Sequence, residues 1–148
     1  MEYRIYPQPP FDFDLSLRYY ARSRFEAVDT VHNSRYYRLI EAAGKTYPVE
    51  VCSSGSIDKP RIIARILEGK PGKKAQNVIA DYIKTVFRAD YNLNRFYDFC
   101  KSDNILNELS DKYYGLINLQ TVSLFEILVW AITGQQMNLG FAYKLKHR

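Results

Sequence analysis

The most informative pattern of apolar and polar positions lies late in the printed sequence. A stripe at helical spacing there predicts a helix with one face directed at a core, and its members are Leu124, Ile127, Leu128, Ala131 and Ile132. Ser123 and Glu126 form a capping-box motif, which predicts that this helix begins at Leu124. The polar run Gly134-Gln135-Gln136 ends it, and Asn138 is a suitable cap for a second helix. The pattern therefore predicts a helix, a short polar turn and another helix.

Alternation of apolar and polar residues predicts strands in the first part of the chain. They cover residues 2–6, 36–42, 47–53 and 61–67, and Ala43-Gly44-Lys45 forms a tight turn between the second and the third. Residues 11–21 fit two patterns, a strand by alternation or a helix capped by Asp12 or Asp14, and the pattern alone does not decide between them.

Helical spacing returns after the last predicted strand. The clearest amphipathic stripe consists of Ala75, Val78, Ile79, Tyr82, Ile83, Val86 and Phe87. Asn92 and Asp103 are predicted to cap two further helices. We therefore predict an α+β domain over residues 1–88, with an antiparallel sheet covered by two helices, and a helical region over residues 89–148.

Composition adds little about chemistry. The 148 residues are 47% apolar, and their net charge of +5 is compatible with a polyanionic partner without establishing one. Cys52 and Cys100 lack the spacing of a zinc site or a disulfide framework, as is typical of a reducing cytoplasm. The start of the sequence lacks a signal-peptide pattern, and no apolar run approaches the ~20 residues of a membrane span. We expect a soluble, cytoplasmic protein.

Two segments carry a family resemblance. The run from Phe125 through Gly134-Gln135-Gln136 to Ala142, together with Tyr113-Tyr114-Gly115-Leu116 before it, resembles the opening of the helical core in 3-methyladenine DNA glycosylase II (AlkA-type) enzymes. This family belongs to the helix-hairpin-helix glycosylases. The resemblance implies an N-terminal domain like half of the TATA-binding protein, with a helix over residues 11–21, followed by the first helices of the all-α core. It also implies removal of alkylated purines from double-stranded DNA, by hydrolysis of the N-glycosidic bond after base flipping, without a metal or a cofactor.

The resemblance assigns roles to residues of the polar turn. Gln136 occupies the position of the wedge that fills the gap left by the flipped base, and Gln135 has a more structural role beside it. The alternative is that both amides satisfy backbone groups at a buried turn. Tyr19 and Trp130 are candidates for the base pocket, against the alternative that both are core residues. Residues with basic side chains near the end are expected to contact phosphates or to form a frayed basic end: Lys144, Lys146 and Arg148.

A catalytic carboxylate is missing from the expected position. Members of the family use an aspartate beyond a Gly-rich hairpin, and neither follows Gln136 here, while Asp12, Asp14 and Asp81 lie in the wrong part of the architecture. We therefore expect the chain to resemble the first half of a glycosylase and to be inactive alone. We also expect apolar surface on the helix over residues 124–132 to be exposed and available for self-association. Two alternatives stay open, a non-catalytic DNA-binding or protein-interaction module and a relative of 8-oxoguanine glycosylases.

Overall fold

The computed structural model describes residues 1–21 and 28–147, apart from the side chains at positions 19, 146 and 147. Its strands are β1 (Glu2–Ile5), β2 (Thr30–His32), β3 (Arg35–Ala42), β4 (Lys45–Ser53) and β5 (Ile62–Ile66). Its helices are α1 (Phe13–Ala21), α2 (Lys73–Val86), α3 (Asn94–Cys100), α4 (Asn104–Lys112), α5 (Leu124–Thr133) and α6 (Leu139–His147). The predicted α+β class is confirmed.

The strands form an antiparallel sheet in the order β1-β5-β4-β3-β2. The predicted hairpin is confirmed, because Ala42 pairs with Lys45 across a two-residue turn. Ala43 and Gly44 both have positive φ angles, 52° and 74°, which is the geometry that matches the twist of a hairpin. The edge strand β2 was not predicted, since three residues are too few to show an alternating pattern.

The core lies between one face of the sheet and the helices α1 and α2. Phe87 is fully buried at its centre, with its ring stacked 5.4 Å from Phe13 and in edge contact with Tyr36 at the same distance. The predicted α2 stripe contributes Ala75, Ile79, Ile83 and Val86. Aromatic contacts of this kind add specific geometry to the burial of apolar area.

The ambiguous segment over residues 11–21 is helical. The carboxylate of Asp12 accepts a hydrogen bond from the Leu15 backbone N–H at 2.8 Å, so Asp12 is the cap that begins α1. Phe13, Leu17 and Tyr20 then face the core together, which helical spacing permits and strand alternation does not. The strand interpretation is wrong for this reason.

Local capping positions the later helices as predicted. Asp103 accepts hydrogen bonds from Ile105 and Leu106, Ser123 accepts one from Glu126, and Asn138 accepts one from Phe141. The remaining cap differs slightly, because Asn92 accepts a hydrogen bond from Asn94 and α3 begins there.

The helical region shares a core with the sheet. Leu93, Ile117 and Leu119 belong to the same buried cluster as the residues of α1 and α2. The domain boundary between residues 88 and 89 stays a prediction.

The apolar stripe of α5 does not face a core. None of the ten residues of α5 is buried, and Leu124 and Ile132 are 69% and 67% exposed. Within residues 1–21 and 28–147, no surface covers this face, so the expectation of exposed apolar surface on residues 124–132 is confirmed. Ile105 and Leu109 of α4 are exposed as well.

Gly115 joins the helical region to the beginning of α1. Its carbonyl oxygen accepts a hydrogen bond from the Asp12 N–H at 2.7 Å, and its own N–H donates to the Tyr97 hydroxyl at 2.9 Å. Its φ of +82° favours glycine, and an added Cβ would lie 2.7 Å from the Asp12 nitrogen. Both the backbone conformation and the close approach therefore require glycine here.

Replacing this glycine tests the connection. We expect Gly115→Ala to lower the free energy of unfolding by about 2–5 kcal/mol, since left-handed strain and a backbone clash add together. Gly44→Ala is the matched control, because Gly44 also has positive φ but no atom within 4 Å of an added Cβ. The control should cost only about 1–2 kcal/mol. Equal losses in urea unfolding of the two variants would contradict the proposed role of the close approach.

Candidate nucleic-acid interface

The turn between α5 and α6 presents two glutamine side chains to solvent. Gln135 and Gln136 are both exposed, and neither side-chain amide forms a hydrogen bond within the part of the chain that the structure describes. The alternative in which these amides satisfy a buried turn therefore does not fit. Gln136 has a φ of 54°, an uncommon conformation for a residue other than glycine. A backbone conformation of this kind at an exposed turn is a reason to propose a functional role for it.

The backbone of this turn is held by local contacts. The Gly134 N–H donates to the Trp130 carbonyl at 2.9 Å and the Gln135 N–H to that of Ile132 at 3.3 Å. On the far side, the Asn138 side chain caps α6 through the Phe141 N–H. The Gln136 side chain consequently lies on a short turn fixed at both ends by helices.

Trp130 packs against the next helix. Its ring is half-buried and meets the ring of the buried Tyr143 at 4.8 Å, nearly perpendicular. This contact fixes the angle between α5 and α6 and fits the core interpretation, while a role in the base pocket stays a prediction.

The other predicted contacts are only partly within the described structure. Lys144 is exposed on α6. The side chains of Tyr19 and Lys146, and Arg148 as a whole, lie outside the described residues. Roles for these four residues in the pocket or at phosphates stay predictions.

Sequence reasoning missed a buried ionic cluster beneath α5. The guanidinium of Arg38 on β3 donates from Nη1 to Asp29 Oδ1 at 2.7 Å and from Nη2 to Glu126 Oε1. Tyr36 donates its hydroxyl to the same Asp29 oxygen at 2.6 Å. We call these four residues the Arg38 network. The network links the sheet to the first turn of α5. Glu126, the glutamate of the expected capping box, is directed at Arg38.

One signal for this network was present in the sequence. Strand alternation places Arg38 on the same face as Tyr36 and Ile40, both of which are buried. The Arg38 side chain is only 8% exposed. A buried arginine requires paired carboxylates, but alternation does not identify which ones.

Three tyrosines lie in or beside the network: Tyr20, Tyr36 and Tyr82. The ring of Tyr82 lies 5.5 Å from the Arg38 guanidinium, and burial raises the pKa of Tyr82 to about 12. Burial likewise raises the pKa of Tyr36 and of Tyr20. These phenols therefore stay neutral at any physiological pH. The charged groups of the network are consequently one arginine and two carboxylates.

Neither a metal centre nor a membrane segment is found in the described residues. No group of three or more histidine, cysteine, aspartate or glutamate side chains there could hold a metal ion. Cys52 and Cys100 are free thiols. Across residues 1–21 and 28–147, every helix is too short or too polar to cross a membrane.

Comparison with known proteins identifies the relatives of this chain. No family model matches it. It is 32% identical to the DNA-3-methyladenine glycosylase of Bacillus subtilis (strain 168) over 137 residues, which are 92% of this chain and 45% of the relative. The chain belongs to the DNA-3-methyladenine glycosylase family. The resemblance noted in the residues around Gly134-Gln135-Gln136 is thus confirmed.

A solved structure of this glycosylase family has the same fold. The 3-methyladenine DNA glycosylase from Archaeoglobus fulgidus superposes with a TM-score of 0.80 at 21% identity, over 98% of this chain and 48% of that structure. The chain therefore spans about half the length of the glycosylases that it matches.

The raised pKa of the half-buried Tyr82 predicts how the stability of this glycosylase-family chain depends on pH. Because the folded pKa of Tyr82 is raised from 10.0 to about 12, its contribution is fully present below pH 10 and is lost between about pH 10 and 12. We expect Tyr82→Phe to lose less stability than the wild type over this interval. Free energies of unfolding from urea titrations at several alkaline pH values measure the difference.

Tyr6→Phe removes a hydroxyl from an exposed ring and is the matched control. If Tyr82→Phe and the wild type lost equal stability between these pH values, Tyr82 would not be a source of the alkaline destabilisation.

Proposed function

We propose that this chain provides the lesion-probing part of a DNA glycosylase that removes alkylated purines. The exposed Gln136 on its left-handed turn is the observation that carries the proposal. A glutamine side chain both donates and accepts hydrogen bonds, so it can fill the space of an extruded base and pair with the base left opposite. Gln135 supports the turn through its backbone N–H, which donates to the Ile132 carbonyl.

The chemistry implied for the whole enzyme is hydrolysis of an N-glycosidic bond without a metal or cofactor. Three carboxylates considered for this role have other surroundings: Asp12 caps α1, and Asp14 and Asp81 lie exposed on α1 and α2. We therefore propose that the hydrolytic step needs residues beyond those in this sequence. A DNA substrate also implies that the protein works in the compartment that holds the DNA.

Phosphate contacts would supply affinity independent of sequence. Lys144 is exposed on α6, the helix that follows the wedge turn, and Lys146 and Arg148 come shortly after it in the sequence. Cationic side chains near an inserted wedge would neutralise phosphates on either side of the flipped nucleotide, which makes binding strongly dependent on salt.

Release of methylated bases from duplex DNA at low salt tests this function. We expect no release by the 148-residue chain, and release by a form extended through any coding sequence that follows Arg148. In that extended form, Gln136→Ala should slow release by about tenfold, because the wedge offsets part of the few kcal/mol that base flipping costs.

Gln135→Ala is the matched control, since it removes the neighbouring amide and should change the rate little. Release by the 148-residue chain alone would contradict the proposal and would direct attention to Asp12 or Asp14. Absence of release by the extended form would favour a non-catalytic DNA-binding module.

The exposed apolar face of α5 supports a second proposal, self-association of this chain through residues 124–132. Phe125 is 75% exposed and Leu128 is 51% exposed on the same helix, and exposed apolar patches often mark interaction sites. We expect the wild type to associate as its concentration rises in sedimentation velocity experiments.

Phe125→Asp and Leu128→Asp should each raise the dissociation constant by roughly tenfold or more, since a charge would be buried at the contact. Leu39→Asp, a similar change at an exposed position on the sheet, should leave association unchanged. A wild-type chain that stays monomeric, or equal effects of all three variants, would contradict self-association through α5.

A further inference from the structure

We infer that Arg38 is a positioning residue for lesion recognition, acting through Glu126 to fix the turn that carries Gln136. This inference rests on the proposed wedge role of Gln136. Arg38 and Glu126 both lie outside the turn, and they are 88 residues apart in sequence.

The attachment of α5 to the sheet depends on this ion pair. No residue of α5 is fully buried, so apolar packing holds this helix less firmly than an ordinary core helix, and Glu126 adds a polar contact with Arg38 on β3. Glu126 lies in the first turn of α5, is itself only 20% exposed, and accepts a hydrogen bond from Arg38 Nη2. The pair therefore fixes the N-terminal end of the helix whose C-terminal end leads into the wedge turn.

Arg38 is itself held in place by a second ion pair, with Asp29. Its other terminal nitrogen binds Asp29, which is 7% exposed and also accepts the Tyr36 hydroxyl. Two carboxylates on separate segments are bridged by the two ends of one guanidinium. A lysine has a single ammonium group and lacks this planar fork, so it would not reproduce both contacts with the same geometry.

The position of Gln136 depends on the direction of α5, because Glu126 lies in the first turn of this helix and Gln136 lies just after its last turn. The helical stretch from Glu126 to the end of α5 at Thr133 is about 10 Å long at 1.5 Å per residue, so a 10° change in the direction of α5 would move the start of the turn by about 2 Å. Displacements of that size exceed the tolerance of a hydrogen bond to an orphaned base. Loss of the ion pair should therefore weaken recognition without altering any residue that contacts DNA.

The test compares binding of the 148-residue chain to two DNA duplexes of identical sequence. One contains a tetrahydrofuran abasic analogue, which leaves the gap that a wedge fills, and the other is undamaged. The ratio of the two dissociation constants, from fluorescence anisotropy, measures recognition of the gap. This ratio is independent of the fraction of folded protein, because both duplexes meet the same sample, so a purely structural defect would not change it.

Glu126→Gln and Arg38→Lys are the informative variants, and Glu50→Gln is the matched control. Glu50 pairs with Arg35 and Arg65 on the opposite face of the sheet, and its substitution changes the net charge equally. Gln136→Ala defines the ratio without a wedge. We expect the wild type to prefer the abasic duplex, Glu126→Gln and Arg38→Lys to reduce that preference by roughly fivefold or more, and Glu50→Gln to retain it.

The outcomes separate this inference from the proposed function. A preference that disappears in Gln136→Ala but persists in both Glu126→Gln and Arg38→Lys overturns the positioning role and leaves the wedge proposal intact. A wild type without preference, or a preference that Gln136→Ala does not change, overturns the wedge role and the positioning role with it. Equal losses in Glu50→Gln and Glu126→Gln overturn the positioning role, because the effect would then follow charge alone.

Discussion

The buried guanidinium of Arg38 is the constraint on which the arrangement of this molecule depends. Removing a cation from water costs several kcal/mol unless opposite charges surround it, and here Asp29 and Glu126 supply them from two distant segments. Tyr36 satisfies a further lone pair of Asp29. The charge of Arg38 is therefore paired with both carboxylates only when the first turn of α5 is in place, while its Nε is buried without a hydrogen-bond partner among the described residues. This requirement makes the position of α5 a condition for the stability of the sheet.

A second connection acts through backbone geometry. Gly115 exchanges hydrogen bonds with the start of α1 and with Tyr97, and the Ser16 hydroxyl accepts one from the Ile117 N–H within the core. These contacts place the segment before α5 against α1, on the covered face of the sheet. Together with the Arg38 network, they fix both the approach to α5 and its first turn. The helical region is thus attached by directional polar contacts as well as by the apolar residues Ile117 and Leu119.

The features that could be predicted from the sequence are those with local causes. Asp103, Ser123 and Asn138 each cap a helix through atoms two or three residues away, so the sequence predicts the start of α4, α5 and α6. The partners of Arg38 depend on how distant segments meet, and no local pattern identifies Glu126 as one of them. Periodicity alone does not predict the exposure of the α5 stripe, because a helical period shows which residues share a face but not what covers that face. The expectation of an exposed face came from the family resemblance instead.

The combination of an ionic anchor and an open apolar face has a physical consequence for α5. Helices in globular proteins are usually oriented by burial of their apolar stripe, so orientation and burial occur together. In α5 these are separated: Glu126 sets the direction through Arg38, while Leu124 and Phe125 stay exposed. A hydrogen-bonded ion pair fixes direction without using apolar surface. The apolar face of α5 is consequently presented in a defined orientation, and a surface that packs on it would bind a helix whose wedge turn is already positioned.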